Sequence, residues 1–220
     1  VDLPYLQPEK MQVFEVGYKS VLQNRLYIDI NVYHSRYQDF IAQQTVRLKS
    51  GTSHQGIPLA GVDDDPLNAA AFRLYVNSRS TVTSTGAGIG LDYRFFRSYH
   101  VHGHYTYTTY SANGEDPDFD AGFNMPGHIA LIGIRNGELG RFGFGMHYRW
   151  QSGFDWEGSF TYGPVEAIGT LDGHVMHRLG ASGVALKVGA TNLLGTNFRN
   201  IAGGPQIGRT VFVGMTCGLK

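Results

Sequence analysis

The chain has 220 residues, of which only 16% are charged, and its formal net charge is zero at pH 7. Its 30 glycines, 13 tyrosines and 13 phenylalanines favour a sheet-rich protein with many tight turns. The charge balance excludes a strongly basic nucleic-acid-binding surface, and the single cysteine excludes an intramolecular disulfide framework. Because the apolar runs are far shorter than the roughly 20 residues of a membrane-spanning helix, any crossing of a bilayer would be made by strands.

Nine segments with a side-chain period of two are predicted as β-strands. The second shows the pattern, since Ile28 and Ile30 share one side while Asp29 and Asn31 share the other. The lengths are close to the roughly 9 to 11 residues of a tilted transmembrane strand. In chain order the segments cover 10–22, 25–41, 80–96, 99–111, 127–136, 141–152, 168–178, 184–194 and 208–220.

Short and long connections alternate strictly between these strands. Those at 22–25, 96–99, 135–140 and 179–183 are short, and those at 42–79, 112–126, 153–167 and 195–207 are long, irregular and rich in Gly, Pro and Asp. Outer-membrane barrels have short periplasmic turns and long extracellular loops, whereas a soluble sandwich has no physical reason for this segregation. The pattern predicts an all-β, antiparallel transmembrane barrel with lipid on the apolar side and a wet lumen or a plug on the other.

The strand count predicts that the barrel is larger than this chain. Complete bacterial barrels have an even number of strands and both termini in the periplasm, but here nine strands place the first residue on the extracellular side. An open strand edge in hydrocarbon leaves backbone groups unsatisfied at several kcal/mol each, so a preceding strand is expected to pair with the first one.

Four motifs in order along the chain carry a family resemblance. "LQPEKMQVFEVGYKSVLQNRLYIDINVYHSRYQDFI" at 6–41 contains a Leu-x-Pro-Glu segment, an aromatic-Glu-x-Gly-Tyr-Lys strand and a strand ending in Tyr-x-Asp-Phe-Ile. "NSRSTVTSTGAGIGLDYRF", "FNMPGH" and "VGATNLLGTNFR" follow. Together they resemble TonB-dependent outer-membrane receptors, in the style of the SusC/CirA-like branch from Bacteroidota.

The resemblance implies a fold and a function. Such receptors are 22-stranded barrels with a plugged lumen, and they import large or scarce nutrients with energy from TonB. Residues 1–220 would be about nine C-terminal strands of that barrel, with the plug domain and the N-terminal strands outside this chain. The expected substrate is an oligosaccharide, a peptide or a metal chelate. The expected partners are outer-membrane lipid, the TonB system through the N-terminal part and a SusD-like surface lipoprotein, without nucleic acid. One departure is that the family usually ends in an aromatic residue, whereas this chain ends at Lys220.

Candidate site residues fall in two groups. Phe154, Trp156, Phe160 and Tyr162 lie in the loop after the sixth strand, where aromatic rings anchor a membrane interface or stack on a substrate; we predict substrate contact. The second group is predicted to face the lumen or the plug and consists of His100, His102, His104, Asp29 and Asn31.

The three histidines are not expected to hold a metal ion together. Alternate side chains on a strand are about 6.6 Å apart, which is too far for all three imidazoles to reach one ion at about 2.0 to 2.1 Å. No cofactor is predicted, and no spacing marks a nucleophile elbow or a catalytic triad, so an enzyme is not predicted. The alternatives are a smaller, passive porin-like barrel, a soluble lipocalin-like binding barrel, and a receptor-like barrel with a structural or assembly role in an outer-membrane complex.

Overall fold

The computed structural model describes residues 5–60, 62–65, 67–96, 98–115, 119–139, 141–180 and 183–218. Every regular element in these segments is a β-strand, and none of them contains a helix long and apolar enough to cross a membrane. The strands are β1 (Lys10–Leu22), β2 (Leu26–Gln38), β3 (Ile41–Arg47), β4 (Ser53–His54), β5 (Ile57–Pro58), β6 (Ala71–Asn77), β7 (Val82–Phe95), β8 (Tyr99–Ser111), β9 (Phe119–Asp120), β10 (His128–Leu139), β11 (Phe142–Gln151), β12 (Phe154–Glu157), β13 (Tyr162–Val165), β14 (Ile168–Arg178), β15 (Val184–Thr191) and β16 (Thr210–Cys217).

Nine long strands form one antiparallel sheet in the order β1-β2-β7-β8-β10-β11-β14-β15-β16. These are the nine predicted strands, and their up-and-down order is confirmed. Some ends differ: β2 stops at Gln38 because Asp39 takes a positive φ of 55°, and β16 covers only part of 208–220, of which 219 and 220 lie outside the described residues. Within the described chain, β1 and β16 are the two edges of the sheet.

The long connections contain short strands that the sequence did not predict. β3 pairs with β6 and with β9, β12 pairs with β13, and β4 pairs with β5. β3 escaped prediction because Gln43, Gln44 and Thr45 put polar groups on both of its faces, so no apolar alternation marks it. The regions predicted to be irregular are therefore partly ordered as small sheets at one end of the main sheet.

One face of the main sheet, the apolar face, is hydrophobic across all nine strands. Strand alternation and cross-strand register place its members together. Many of them are solvent-exposed in the isolated chain, which is the arrangement of a surface that meets lipid. The apolar face includes Phe14, Val16, Ile28, Ile30, Ile89, Leu91, Val101, Ile132, Ile134, Met146, Val175, Leu186, Val188, Val211, Val213 and Met215.

Aromatic side chains border the apolar face at both ends. Tyr99 contacts Phe95 and Phe144 near the short turns, with ring centroids 5.5 and 6.1 Å apart. Near the long connections, Tyr107 contacts His128 at 5.1 Å. Tyr99 and Tyr107 are eight positions apart on β8, or about 26 Å at about 3.3 Å per residue. At a strand tilt of about 40° this length corresponds to roughly 20 Å along the membrane normal, and an apolar band between aromatic girdles is typical of transmembrane barrels.

The opposite face, the polar face, carries the charged residues of the long strands. Small residues on it leave room for neighbouring side chains: a Cβ on Gly86 would lie 2.4 Å from the Tyr33 ring, which covers this glycine from the adjacent strand. The polar face includes Lys19, Asp29, Asn31, Asp92, Arg94, His100, His102, His104, Arg135, His147, Arg149, Asp172, His174 and Lys187.

The first short turn shows how the reversals at the short-turn end are made. Gln23 and Asn24 both take positive φ values, 49° and 53°, and the Arg25 N–H donates to the Leu22 carbonyl oxygen at 3.0 Å. Positive φ at both central residues is the geometry of a type I′ turn, whose twist matches that of the flanking strands.

Candidate functional site

The long connections are joined to one another at Glu157, at the end of β12. Its carboxylate accepts a hydrogen bond from the Gly122 N–H at 2.9 Å. Its own backbone N–H donates to Asn124 Oδ1 at 2.7 Å, and its carbonyl accepts from Asn124 Nδ2 at 2.8 Å. The connection before β10 and the connection after β11 are therefore held together by three hydrogen bonds.

A third connection is fastened to the same point. Arg73 on β6 forms an ion pair with Asp120 on β9, and it donates to the Gly158 carbonyl oxygen at 2.8 Å. The Ser159 hydroxyl donates to Gln43 Oε1 at 2.8 Å. We call the segments 41–47, 71–77, 119–124 and 154–165 the loop layer. Its members come from three connections and are linked by side-chain contacts.

The structure divides the four aromatic residues predicted to contact substrate. Phe154 and Trp156 share one face of the β12–β13 hairpin, because strand alternation puts them on the same side. Tyr162 pairs with Glu157 and lies on the other face, where it is 68% exposed. Phe160 is fully exposed between the two strands. The hairpin therefore does not present all four rings to one ligand.

Tyr162 lines a cleft between the hairpin and the last long connection. The cleft measures about 440 Å³, and Pro164, Phe198, Arg199 and Gln206 also line it. Two aromatic rings and one guanidinium group line it together with two amides and one carboxylate, those of Asn197, Gln206 and Glu166. Aromatic walls with a few polar groups are the usual composition of small-ligand sites.

Four of the five residues predicted to face the lumen come together. Asp29, Asn31, His102 and His104 line a trough of about 600 Å³ on the polar face. Asp29 is held by Lys19, whose Nζ lies 3.1 Å from Asp29 Oδ2.

The fifth residue, His100, has a different environment. Its Nδ1 lies 2.7 Å from Asp92 Oδ1, and the other oxygen of Asp92 accepts from Arg135 at 2.8 Å. His100 is thus the one histidine of β8 that does not line the trough. In the part of the chain that the structure describes, no group of three or more His, Cys, Asp or Glu side chains is arranged to hold a metal ion.

Asp172 on β14 is a polar centre that the sequence did not reveal. Its side chain is only 7% exposed, and its carboxylate lies 2.5 Å from Arg149 Nη2 and 3.2 Å from His147 Nε2. It also accepts the Asn192 N–H at 2.7 Å. The Asn192 side chain in turn donates to the Thr196 carbonyl and accepts from the Thr196 N–H. In the sequence, this centre could have been inferred only from the motif "VGATNLLGTNFR", which contains Asn192.

A second unpredicted cluster consists of Tyr37, Phe40, Tyr110 and Phe123. The rings of Phe40 and Phe123 stack with centroids 5.5 Å apart, and Tyr110 stacks on Phe123 at 4.7 Å. Tyr37 meets Phe40 edge-on at 5.3 Å. Tyr37 and Tyr110 point to the polar face and Phe123 belongs to the loop layer, so the cluster joins the two. Tyr37, Phe40 and Phe123 occur in the motifs "RYQDFI" and "FNMPGH". These motifs drew attention to the residues but did not predict that their rings contact one another.

Glu115 fixes the start of the connection after β8. Burial opposes its ionisation, but its carboxylate accepts hydrogen bonds from the N–H groups of Arg79 and Ser80 at 3.0 and 2.6 Å. The Ser80 hydroxyl donates a third at 2.7 Å. These bonds and the Arg79 charge outweigh burial and lower the pKa of Glu115 below its ordinary value.

Comparison with known proteins identifies the architecture. The family model described as "TonB dependent receptor-like, beta-barrel" matches residues 2–193. No curated protein matches the chain. Among solved structures, the copper transporter OprC superposes with a TM-score of 0.70 and 15% sequence identity, covering 96% of this chain and 31% of that chain.

Two iron receptors superpose in the same way. The ferric-catecholate import receptor Fiu from E. coli K12, in its closed form, gives a TM-score of 0.64 at 15% identity, covering 96% of this chain and 28% of that one. The FrpB iron transporter from Neisseria meningitidis gives 0.66 at 10% identity, with 96% and 31% covered. At these identities the likeness shows the fold alone. The chain spans about a third of the length of these proteins.

Proposed function

Because the chain belongs to the TonB-dependent receptor-like β-barrel family, whose barrels are located in the outer membrane, we propose that it forms part of an active nutrient importer. The family consists of transport and receptor barrels and is not an enzyme family. The predicted resemblance to these receptors is confirmed at family level.

The two-faced sheet is the observation that carries this proposal. Its apolar face forms a band bordered by aromatic rings, which suits contact with hydrocarbon. Its polar face carries charged side chains bound to one another, such as Lys19 with Asp29 and Arg149 with Asp172. Only an aqueous or protein-filled lumen can keep so many charged groups ionised at membrane depth.

We propose that these nine strands are a C-terminal portion of a larger barrel in the same polypeptide. Two observations support this: the chain spans about a third of the superposed receptors, and the backbone groups at the outer edges of β1 and β16 need partners in a membrane. The plug domain and coupling to the TonB system would be supplied by the rest of that polypeptide.

The proposed substrate is a large or scarce nutrient recognised by the loop layer and the Tyr162 cleft. The motif resemblance to the SusC/CirA-like branch favours an oligosaccharide or a peptide, with a SusD-like lipoprotein as the partner. The superposed proteins are named as copper and iron transporters, which favours a metal chelate. Aromatic rings beside polar groups in the cleft suit stacking and hydrogen bonding with any of these substrates.

Uptake by the native host tests the proposal. Cells that lack the gene are compared with complemented cells for uptake of labelled oligosaccharides, peptides and metal chelates, with and without a protonophore and with and without TonB. We expect one class to be taken up only when the gene, the proton gradient and TonB are all present. Uptake that survives loss of both the gradient and TonB would instead identify a passive porin-like barrel.

Site variants separate recognition from assembly. Tyr162→Ala should weaken substrate binding to the purified full-length protein about tenfold or more, because buried aromatic contacts dominate binding energies. Tyr18→Ala is the matched control, since Tyr18 is similarly exposed at 58% but lies on the apolar face. Equal losses in the two variants would remove the cleft from the proposal. Absence of uptake for every class, with the protein retained in a larger complex, would favour the structural or assembly role.

A further inference from the structure

Five residues in register form a symmetrical row across the polar face. Asp92 on β7 pairs with His102 on β8, His102 with Gly133 on β10, Gly133 with His147 on β11, and His147 with Asp172 on β14. The order Asp, His, Gly, His, Asp therefore runs over five neighbouring strands. We call these residues the histidine row.

The central glycine lets the two imidazole side chains approach each other. A Cβ on Gly133 would lie 2.7 Å from both Nε2 and Cε1 of His102, and 2.8 Å from the Cβ of His147. Any larger residue would have to displace one of them. The His102 ring thus lies over the glycine, on the side where the Cβ of His147 also approaches it. Its Nδ1 is buried and has no hydrogen-bond partner in the structure, which is unusual for a buried polar atom.

His147 is oriented by a fixed carboxylate. Its Nε2 lies 3.2 Å from Asp172 Oδ2, and Asp172 is itself held by Arg149 and by the Asn192 N–H. A carboxylate that accepts from one imidazole nitrogen is the usual support of a metal-binding histidine, because it fixes the ring and makes the other nitrogen a better donor. Nδ1 of His147 is then the nitrogen that can bind a metal ion.

Each end of the row is a carboxylate paired with an arginine. Asp92 is paired with Arg135 at 2.8 Å, and Asp172 is paired with Arg149 at 2.5 Å. Each arginine thus has a carboxylate partner, and the two imidazoles lie between these two pairs. Imidazole nitrogen suits copper, nickel and zinc, whereas calcium and magnesium prefer oxygen.

We propose that His102 and His147 bind one divalent copper, nickel or zinc ion across Gly133, with Asp172 as a positioning residue for His147. Since no third side chain of these types converges with them among the described residues, the remaining coordination positions are open to water or to a chelating molecule. Open positions distinguish this site from a closed, four-ligand structural site. The site would lie in the lumen wall, apart from the Tyr162 cleft proposed to bind substrate.

Metal titration of the full-length protein in detergent tests the site. Copper(II) is added at pH 7.5, binding is measured by calorimetry, and equatorial nitrogen ligands are counted by electron paramagnetic resonance. We expect one ion with two imidazole nitrogens, and about tenfold or greater loss of affinity in His102→Ala and in His147→Ala. Asp172→Asn should weaken binding about 10- to 100-fold while keeping both nitrogens in the spectrum.

Two further variants make the result decisive. His104→Ala is the matched control, because His104 lies on the same strand and face but two positions from the row, and its affinity should not change. Gly133→Ala keeps both imidazoles but fills the space between them, so it should also lose binding. Unchanged affinity in the His102 and His147 variants, or an equal loss in the His104 variant, would overturn the proposal. Heat-dependent gel mobility confirms that each variant has folded.

Discussion

Arginine in place of Ile132 measures what the apolar face contacts. Ile132 is 61% exposed on β10, four residues from His128 and four from Asn136. At about 3.3 Å per residue and a tilt of about 40°, it lies roughly 10 Å from either end of the apolar band. An arginine near the bilayer midplane costs about 2 to 4 kcal/mol. Ile132→Arg should therefore lower the ratio of folded to unfolded protein by about 30- to 900-fold.

Ile129→Arg on the same strand is the matched control. Ile129 is 36% exposed, but it faces the polar side, beside Thr106 and Gln151. Its replacement should cost less than about 1 kcal/mol because the new charge stays in the lumen. Urea unfolding of the full-length protein in phospholipid vesicles gives both free energies. Equal costs for the two variants, or a cost below about 1 kcal/mol at Ile132, would refute hydrocarbon contact.

Three further substitutions test local features. The pKa of Glu115 is lowered in the folded state, so its contribution to stability should be complete above its unfolded pKa of about 4.3 and be lost as the pH falls through the folded value. Glu115→Gln should abolish this pH dependence, measured by amide hydrogen exchange at residues 79–80. A pH dependence that persists in the variant would contradict the assignment. Gly183→Ala should lower the urea midpoint more than Gly180→Ala, because both glycines have positive φ but only the new Cβ at 183 would lie 2.8 Å from a backbone oxygen, that of Gly218. Asn192→Ala removes two hydrogen bonds at about 1 kcal/mol each, so limited proteolysis should cut 193–209 faster; an unchanged rate would show that these bonds do not hold the connection.

The nine long strands could be predicted because a lipid-facing sheet imposes a period of two on its sequence. The least regular of them, β10, has apolar residues on both faces, since Ile129 and Leu131 point to the polar side. It was still found because short turns and long connections bracket every strand. Strand ends were less accurate, as at Asp39, where a positive φ rather than composition ends β2.

The candidate site was less predictable because its contacts join distant segments. Alternation put His100, His102 and His104 on one face, but it could not show that His102 and His147 both lie against Gly133, since that depends on the register of three strands. The loop layer was missed for a similar reason. β3 is polar on both faces and β9 has only two residues, so neither carries a usable period. On β6, Phe72, Leu74 and Val76 do alternate with polar residues, but this stretch lies inside a long connection and was not predicted as a strand.

Three of the motifs that carry the family resemblance contain an asparagine whose side chain bonds the backbone of a long connection. Asn77 donates to the carbonyl oxygens of Gln7 and Asp39 and accepts the Gln7 N–H. The Asn124 side chain bonds both the N–H and the carbonyl oxygen of Glu157. The Asn192 side chain bonds the same two backbone groups of Thr196. A side-chain amide both donates and accepts, so it can replace a strand partner where the chain leaves the sheet. Many apolar residues can satisfy a lipid-facing strand, but few side chains can make this paired bond. Specific sequence signals are therefore expected where the long connections join the barrel, which is where they occur.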